Sequence, residues 1–148
     1  MTATPYARPL IVPRGAGRRA DPGSAILADA AATRGALGLV ESRIPAAASP
    51  PRHIHRAEDE AFYTLDGVLD IVCGDERLRA EPGAFAYLPR GVVHTFRVVG
   101  DRPAHLLIMM VPAGFEEFFA THAGTDAEAL AEIYRQHGVD IVGPPLGD

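Results

Sequence analysis

The chain has 148 residues, 47% of them hydrophobic, which is enough for one domain with a real core and short for two. Fourteen basic residues stand against 19 acidic ones, a net charge of −5, so no basic excess is available to neutralise phosphates and a nucleic-acid partner is not expected. Every basic residue is an arginine; without a lysine, Schiff-base chemistry on a lysine is excluded.

The first 24 or so residues are rich in Pro, Gly and Arg and contain one short β-prone segment, Leu10 to Val12. They lack the unbroken apolar stretch of a signal peptide, and no apolar run is long enough to cross a bilayer. A cytoplasmic protein with no membrane partner is the expectation.

From Ala36 onward the signals are those of strands, short β-prone runs bounded by Gly, Pro and Asp. Strands are predicted near Ala36–Ile44, His53–Arg56, Glu60–Leu65, Leu69–Cys73, Glu76–Ala80, Ala84–Leu88, Val93–Val99 and Ala104–Val111. Asp66-Gly67 and Gly74-Asp75 read as hairpin turns. Glu81-Pro82-Gly83 fits the middle of a type II turn, and Pro89-Arg90-Gly91 repeats that logic. Many short strands at regular spacing point to a sandwich or barrel. Cys73, the only cysteine, cannot form an internal disulfide and is expected as a small side chain near a strand end.

The last forty residues change character. Gly114 to about His122 reads as a short amphipathic helix with Phe115, Phe118 and Phe119 on one side, expected to pack on the barrel wall, with covering of the cavity mouth as the alternative. Thr125-Asp126-Ala127-Glu128 is a capping-box signature that opens a second helix through about His137, with Gly138 as its stop. The predicted organisation is an arm over residues 1–34, a β-barrel core over 35–112 and a helical extension of the same domain over 113–148.

Four residues stand out for chemistry. His53 and His55 are one residue apart, so on a strand their imidazoles point the same way. Glu60 follows closely, and His94 comes from a distant strand. Three nitrogens and one oxygen suit a divalent first-row ion of the series Fe, Ni, Mn, Co, Cu and Zn. Strand parity places Phe62 and Thr64 with Glu60, and Phe96 and Val98 with His94. An inward, largely apolar cavity that binds substrate through these four residues is the expectation.

The spacing of these residues resembles the cupin superfamily. His53-x-His55-x4-Glu60-x6-Gly67 matches the first cupin motif, and Gly83-x5-Pro89-x-Gly91-x2-His94 matches the second, with fifteen residues between them. The opening Gly of the first motif is replaced by Ala47 and the final Asn of the second by Val98; the Ala47 change suggests a different turn. The resemblance implies a cupin jelly-roll barrel (a double-stranded β-helix) of all-β class with two short C-terminal α-helices. It also implies one metal ion on His53, His55, Glu60 and His94, and a homodimer.

The stretches Glu58–Gly67 and Pro112–Phe119 are similar to small bacterial cupins grouped with quercetin 2,3-dioxygenases. That resemblance implies a metal-dependent dioxygenase acting on a flavonol-like or other enolic aromatic molecule with O2, Glu60 being both ligand and general base. Two alternatives stay open: a non-oxidative cyclase, isomerase or hydratase at the same site, and a small-molecule-binding cupin that is not an enzyme.

Overall fold

Period-two burial builds this protein. In the strand Ala104–Val111, residues Ala104, Leu106, Ile108 and Met110 are buried, while His105, Leu107 and Met109 stay partly exposed. Leu69 and Ile71 do the same in Leu69–Cys73. Each strand therefore has one wet and one dry face, and two such sheets bury their dry faces on each other.

The computed structural model describes residues 7–122 and 124–147. Its strands are β1 (Arg18–Arg19), β2 (Ser24–Ala28), β3 (Gly38–Ile44), β4 (Pro51–His55), β5 (Asp59–Asp66), β6 (Leu69–Cys73), β7 (Glu76–Ala80), β8 (Phe85–Leu88), β9 (His94–Val98), β10 (Ala104–Val111) and β11 (Val139–Pro145). Helix α1 spans Ala30–Thr33, a 3-10 helix spans Phe115–Ala120 and α2 spans Ala127–Gln136. One antiparallel sheet runs β1-β2-β3-β10-β5-β8 and the other β11-β4-β9-β6-β7. Phe62, Leu69, Ile71, Leu88, Val98, Leu106 and Met110 fill the space between them. This is the expected jelly-roll barrel. No helix among the described residues is long and apolar enough to cross a membrane.

All eight strands read from the sequence are present, with ends shifted by no more than two residues. The Gly74-Asp75 hairpin forms, since Cys73 pairs with Glu76. The turn at Glu81 closes as expected, with the Ala84 N–H donating to the Glu81 carbonyl at 2.9 Å. Asp66-Gly67 is not a hairpin: β5 and β6 lie in different sheets, and the turn carries the chain from one to the other. Gly67 has φ 81°, and a Cβ there would sit 2.7 Å from the Ala104 Cα. Left-handed backbone and close approach together demand glycine.

Leu10–Val12 is not a strand; Leu10 and Ile11 are exposed, with prolines on both sides that remove donors from any ladder. Instead Ser24–Ala28 pairs with β3, its alternation hidden in the sequence by small Ser and Ala side chains. The first C-terminal helix is 3-10 rather than α. The second is capped by Asp126, whose carboxylate accepts from the Ala129 N–H at 2.8 Å, not by Thr125. Asp is as good a cap as Thr and adds a charge suited to the helix N-terminus. The chain then re-enters the barrel as β11, which pairs with β4. Gly143, Pro144 and Pro145 conceal that strand from a propensity reading.

Ala47 stands in the left-handed region that a glycine occupies without strain. Its φ is 63°, its N–H donates to Val98 and the Ala48 carbonyl accepts from Val98. The alanine takes on left-handed strain in this turn. Ala47→Gly is therefore expected to stabilise the protein by about 1 kcal/mol, raising Tm by about 2–4 °C in a chain of this size. Differential scanning calorimetry checks it, and an unchanged or lower Tm would show that the strain is relieved elsewhere.

Candidate metal centre

β4 and β9 meet at one pair of residues, His53 opposite His94. The side-chain period of two then puts His55 on the same face as His53. Glu60 comes from β5 in the facing sheet, so the cluster bridges both sheets. A turn positions the last histidine. Arg90 donates to Asp59 through its backbone N–H at 2.9 Å and its guanidinium at 3.1 and 3.2 Å. The Gly91 N–H donates to the His55 carbonyl at 2.8 Å. These bonds pin the Pro89–Gly91 turn beside β4 and β5, and β9 starts over the cluster. The Arg90 guanidinium, with the Arg90 N–H, holds the Asp59 carboxyl well below its ordinary range.

The four residues converge as expected. Each offers one ligand atom, the four atoms lie within 4.8 Å of one another, and all four residues are buried. Glu60 Oε2 lies 2.9 Å from His94 Nε2 and 3.2 Å from His55 Nε2. The His53 Nδ1–H donates to the Pro51 carbonyl at 2.7 Å, and the His55 Nδ1–H donates to Glu58 Oε1 at 2.6 Å. Those bonds turn the Nε2 atoms of both rings inward.

Charge follows from burial and neighbours. Burial, then the His94 charge, lowers the His53 imidazole to about 4, so it is neutral at neutral pH, as a ligand must be. Burial alone would lower His55 too, but the Glu60 charge and the Glu58 hydrogen bond outweigh it and push His55 up to about 9. Burial alone would raise Glu60; the charge and hydrogen bond of His55, and then those of His94, hold it well below the carboxylate range. The fit to a cation is direct. One buried ring nitrogen, His94 Nδ1, has no hydrogen-bond partner. Three imidazoles and an ionised carboxylate make a borderline donor set, and a cation could replace the proton that His55 now shares with the acids.

Inward from the cluster, Phe62 and Phe96 meet edge to face at 5.4 Å. Thr64 is buried with its hydroxyl unpartnered, and Val98 is fully buried core. Two site features escaped the sequence reading, Glu58 and the Tyr134 ring. Glu58 is the orienting partner of His55, and its only signal was an acid three residues after a candidate ligand. Phe115 packs against the His55 ring at 4.5 Å and Tyr134 against the His53 ring at 5.5 Å. The C-terminal aromatic cluster thus lies on the metal-ligand layer itself, not merely on the barrel wall. Burial, then the Glu60 charge, raises the Tyr134 phenol above its ordinary range. Cys73 pairs with His94 across β6 and β9, and burial raises its thiol.

The Cupin domain family matches residues 40–111, and that span carries both motifs and the four converging side chains. The chain belongs to the cupin superfamily. A quercetin 2,3-dioxygenase from Bacillus subtilis (strain 168) is 29% identical over 89 residues, which are 60% of this chain. The match spans 26% of that relative's length, about a quarter. Among solved structures, KdgF from Halomonas sp. superposes with TM-score 0.56 at 19% identity, over 69% of this cupin and 92% of KdgF. A predicted oxalate decarboxylase from Thermotoga maritima gives TM-score 0.57 at 19% identity, over 60% of this cupin and 78% of that chain. Both share its fold.

Glu58→Gln should keep the fold but weaken metal binding about tenfold or more, because the group that fixes His55's tautomer and basicity is lost. Competition against a fluorescent chelator measures this. Unchanged affinity would remove Glu58 from the site.

Proposed function

We propose that this cupin is a metal-dependent dioxygenase, an oxidoreductase acting on a flavonol-like or other enolic aromatic small molecule. The observation that carries the reading is a buried set of three imidazoles and one carboxylate with aromatic rings packed against it. Similarity to a quercetin 2,3-dioxygenase supports the substrate class. In this reading His53, His55, Glu60 and His94 hold one divalent first-row ion. When bound, that ion supplies Lewis acidity and a template for substrate and O2. The protein works as a cytoplasmic homodimer without nucleic acid or membrane.

The side chains do the rest. The substrate's enol O–H donates its proton to the Glu60 carboxylate, the nearest ionised acceptor. In the ion-free site the His55 charge keeps that carboxylate a weak base. Phe62 and Phe96 form an apolar wall deeper in the barrel, Val98 closes it, and the unpartnered Thr64 hydroxyl offers a hydrogen bond to an oxygen of the substrate.

One observation favours a second reading. A protonated His55 beside an ionised Glu60 is an acid–base pair that needs no oxidant. That suits a non-oxidative cyclase or isomerase. Oxygen consumption with a panel of flavonols separates the two: uptake supports the dioxygenase, and turnover in anaerobic buffer supports the alternative.

Glu60→Gln tests the proton acceptor. An amide oxygen can still donate weakly to an ion but cannot take the proton. Turnover per bound metal should fall by about a hundredfold or more, with partial recovery at higher pH, where the substrate is already deprotonated. Full turnover per metal would reject the base role of Glu60.

A further inference from the structure

His53, His55, Glu60 and His94 are 4%, 1%, 5% and 2% exposed, so no organic molecule reaches them in this conformation. Their outer cover comes from the segment after the barrel. Phe115 lies on His55, Tyr134 lies on His53, and Phe118 joins the two, at 4.9 Å from Phe115 and 4.4 Å from Tyr134. The Tyr134 ring is close to parallel with its neighbours, tilted 34° to His53, 33° to Phe118 and 21° to Phe115. It fills a slot with flat walls.

The two halves of the cover are held differently. The 3-10 helix is pinned. The buried Glu116 carboxylate accepts from the Ala30 and Gly114 N–H groups at 2.7 and 2.5 Å, and Glu117 pairs with Arg18. Helix α2 is not. Tyr134 is its only buried residue, and its side-chain polar contacts stay within the helix and its caps. It is flanked by Gly124 and Gly138, both left-handed, and the Gly138 carbonyl is tied to Arg56 at the end of β4. The helix is thus held by packing, with Tyr134 buried and Leu130 and Ile133 half-buried against the core, and it lies between two left-handed glycines, which suits hinged motion.

We propose that the Tyr134 ring holds the place of a flat aromatic ligand: α2 swings out about Gly124 and Gly138, and the ligand's ring enters the vacated slot between His53, Phe115 and Phe118. Tyr134 is thereby a specificity-determining residue, and Phe115 a fixed wall. The ligand class rests on the functional reading above; the opening of α2 does not.

Two measurements on the full chain test it without turnover. The first is the rate at which diethyl pyrocarbonate modifies His53 in metal-free protein, mapped by mass spectrometry across a urea series. Opening of α2 alone exposes little surface, so the wild-type rate should depend weakly on urea, far less than global unfolding does. Tyr134→Ala should raise it about tenfold or more, and Tyr134→Phe should leave it near wild type. The second is binding of 3-hydroxyflavone, followed by its fluorescence. Tyr134→Ala should bind it about tenfold tighter, since the slot no longer has to be vacated. Where Tyr134→Ala does not fold, Tyr134→Leu replaces it and the wild-type urea series still decides. Modification only through global unfolding, or an unchanged rate in a folded Tyr134 variant, would overturn the hinge. A hinge that opens with no flavone binding in any variant would overturn the ligand class. A flavone that binds and protects His53 without oxygen uptake would leave this proposal standing and sink the dioxygenase.

Discussion

An ionised carboxylate sits almost out of water inside this barrel, and the rest of the site is arranged around that fact. Glu60 is 5% exposed. A buried charge is costly unless opposite charge and hydrogen bonds surround it, and losing one partner of such a pair costs about 3–5 kcal/mol. His55 and His94 both reach Glu60 Oε2, and Glu58 secures the far side of His55. In the ion-free state a proton on His55 balances the acids. A divalent cation at the same point would balance them better, with three nitrogens and an oxygen already in place. Electrostatic need and metal-ligand geometry are here the same arrangement.

The barrel delivers that arrangement through parity and turns. His53 and His94 are cross-strand partners in one sheet, and Glu60 faces them from the other. Neither sheet alone holds the set. The Asp59–Arg90 bonds fix how β5 and β9 begin, and the Ala47 turn ties the approach to β4 to the end of β9, so residues that are not ligands decide whether four ligand atoms meet. The C-terminal strand β11 borders β4, which ties the histidine strand to the helix that covers it.

Much of this was legible in the residues because a strand's side-chain period is two and the turns carried their own chemistry. Strand parity put His53 and His55 on one face, and the motif spacing shared with cupins joined Glu60 and His94 to them. The failures share a cause: they depend on partners distant in sequence. Ser24–Ala28 and Val139–Pro145 are strands because β3 and β4 had edges to offer, which the small residues of the first and the Gly-Pro-Pro end of the second did not signal. Ala47 is left-handed because Val98 bonds the backbone on both sides of it. Tyr134 looked like one more apolar position on a helix face, and nothing local shows that its ring lies on His53. Glu58 was one of three consecutive acids, and only the fold shows which of them faces His55.

The most direct test is elemental analysis of protein purified without an affinity tag, comparing wild type with His53→Ala/His94→Ala. The account predicts about one first-row ion per wild-type chain, or the same after reconstitution with Fe, Ni, Mn, Co, Cu or Zn. It predicts almost none in the double variant while its circular dichroism stays that of a β-rich fold. Full metal content in the double variant would place the site elsewhere, and a wild-type protein that takes up none of these ions would contradict the metal centre altogether.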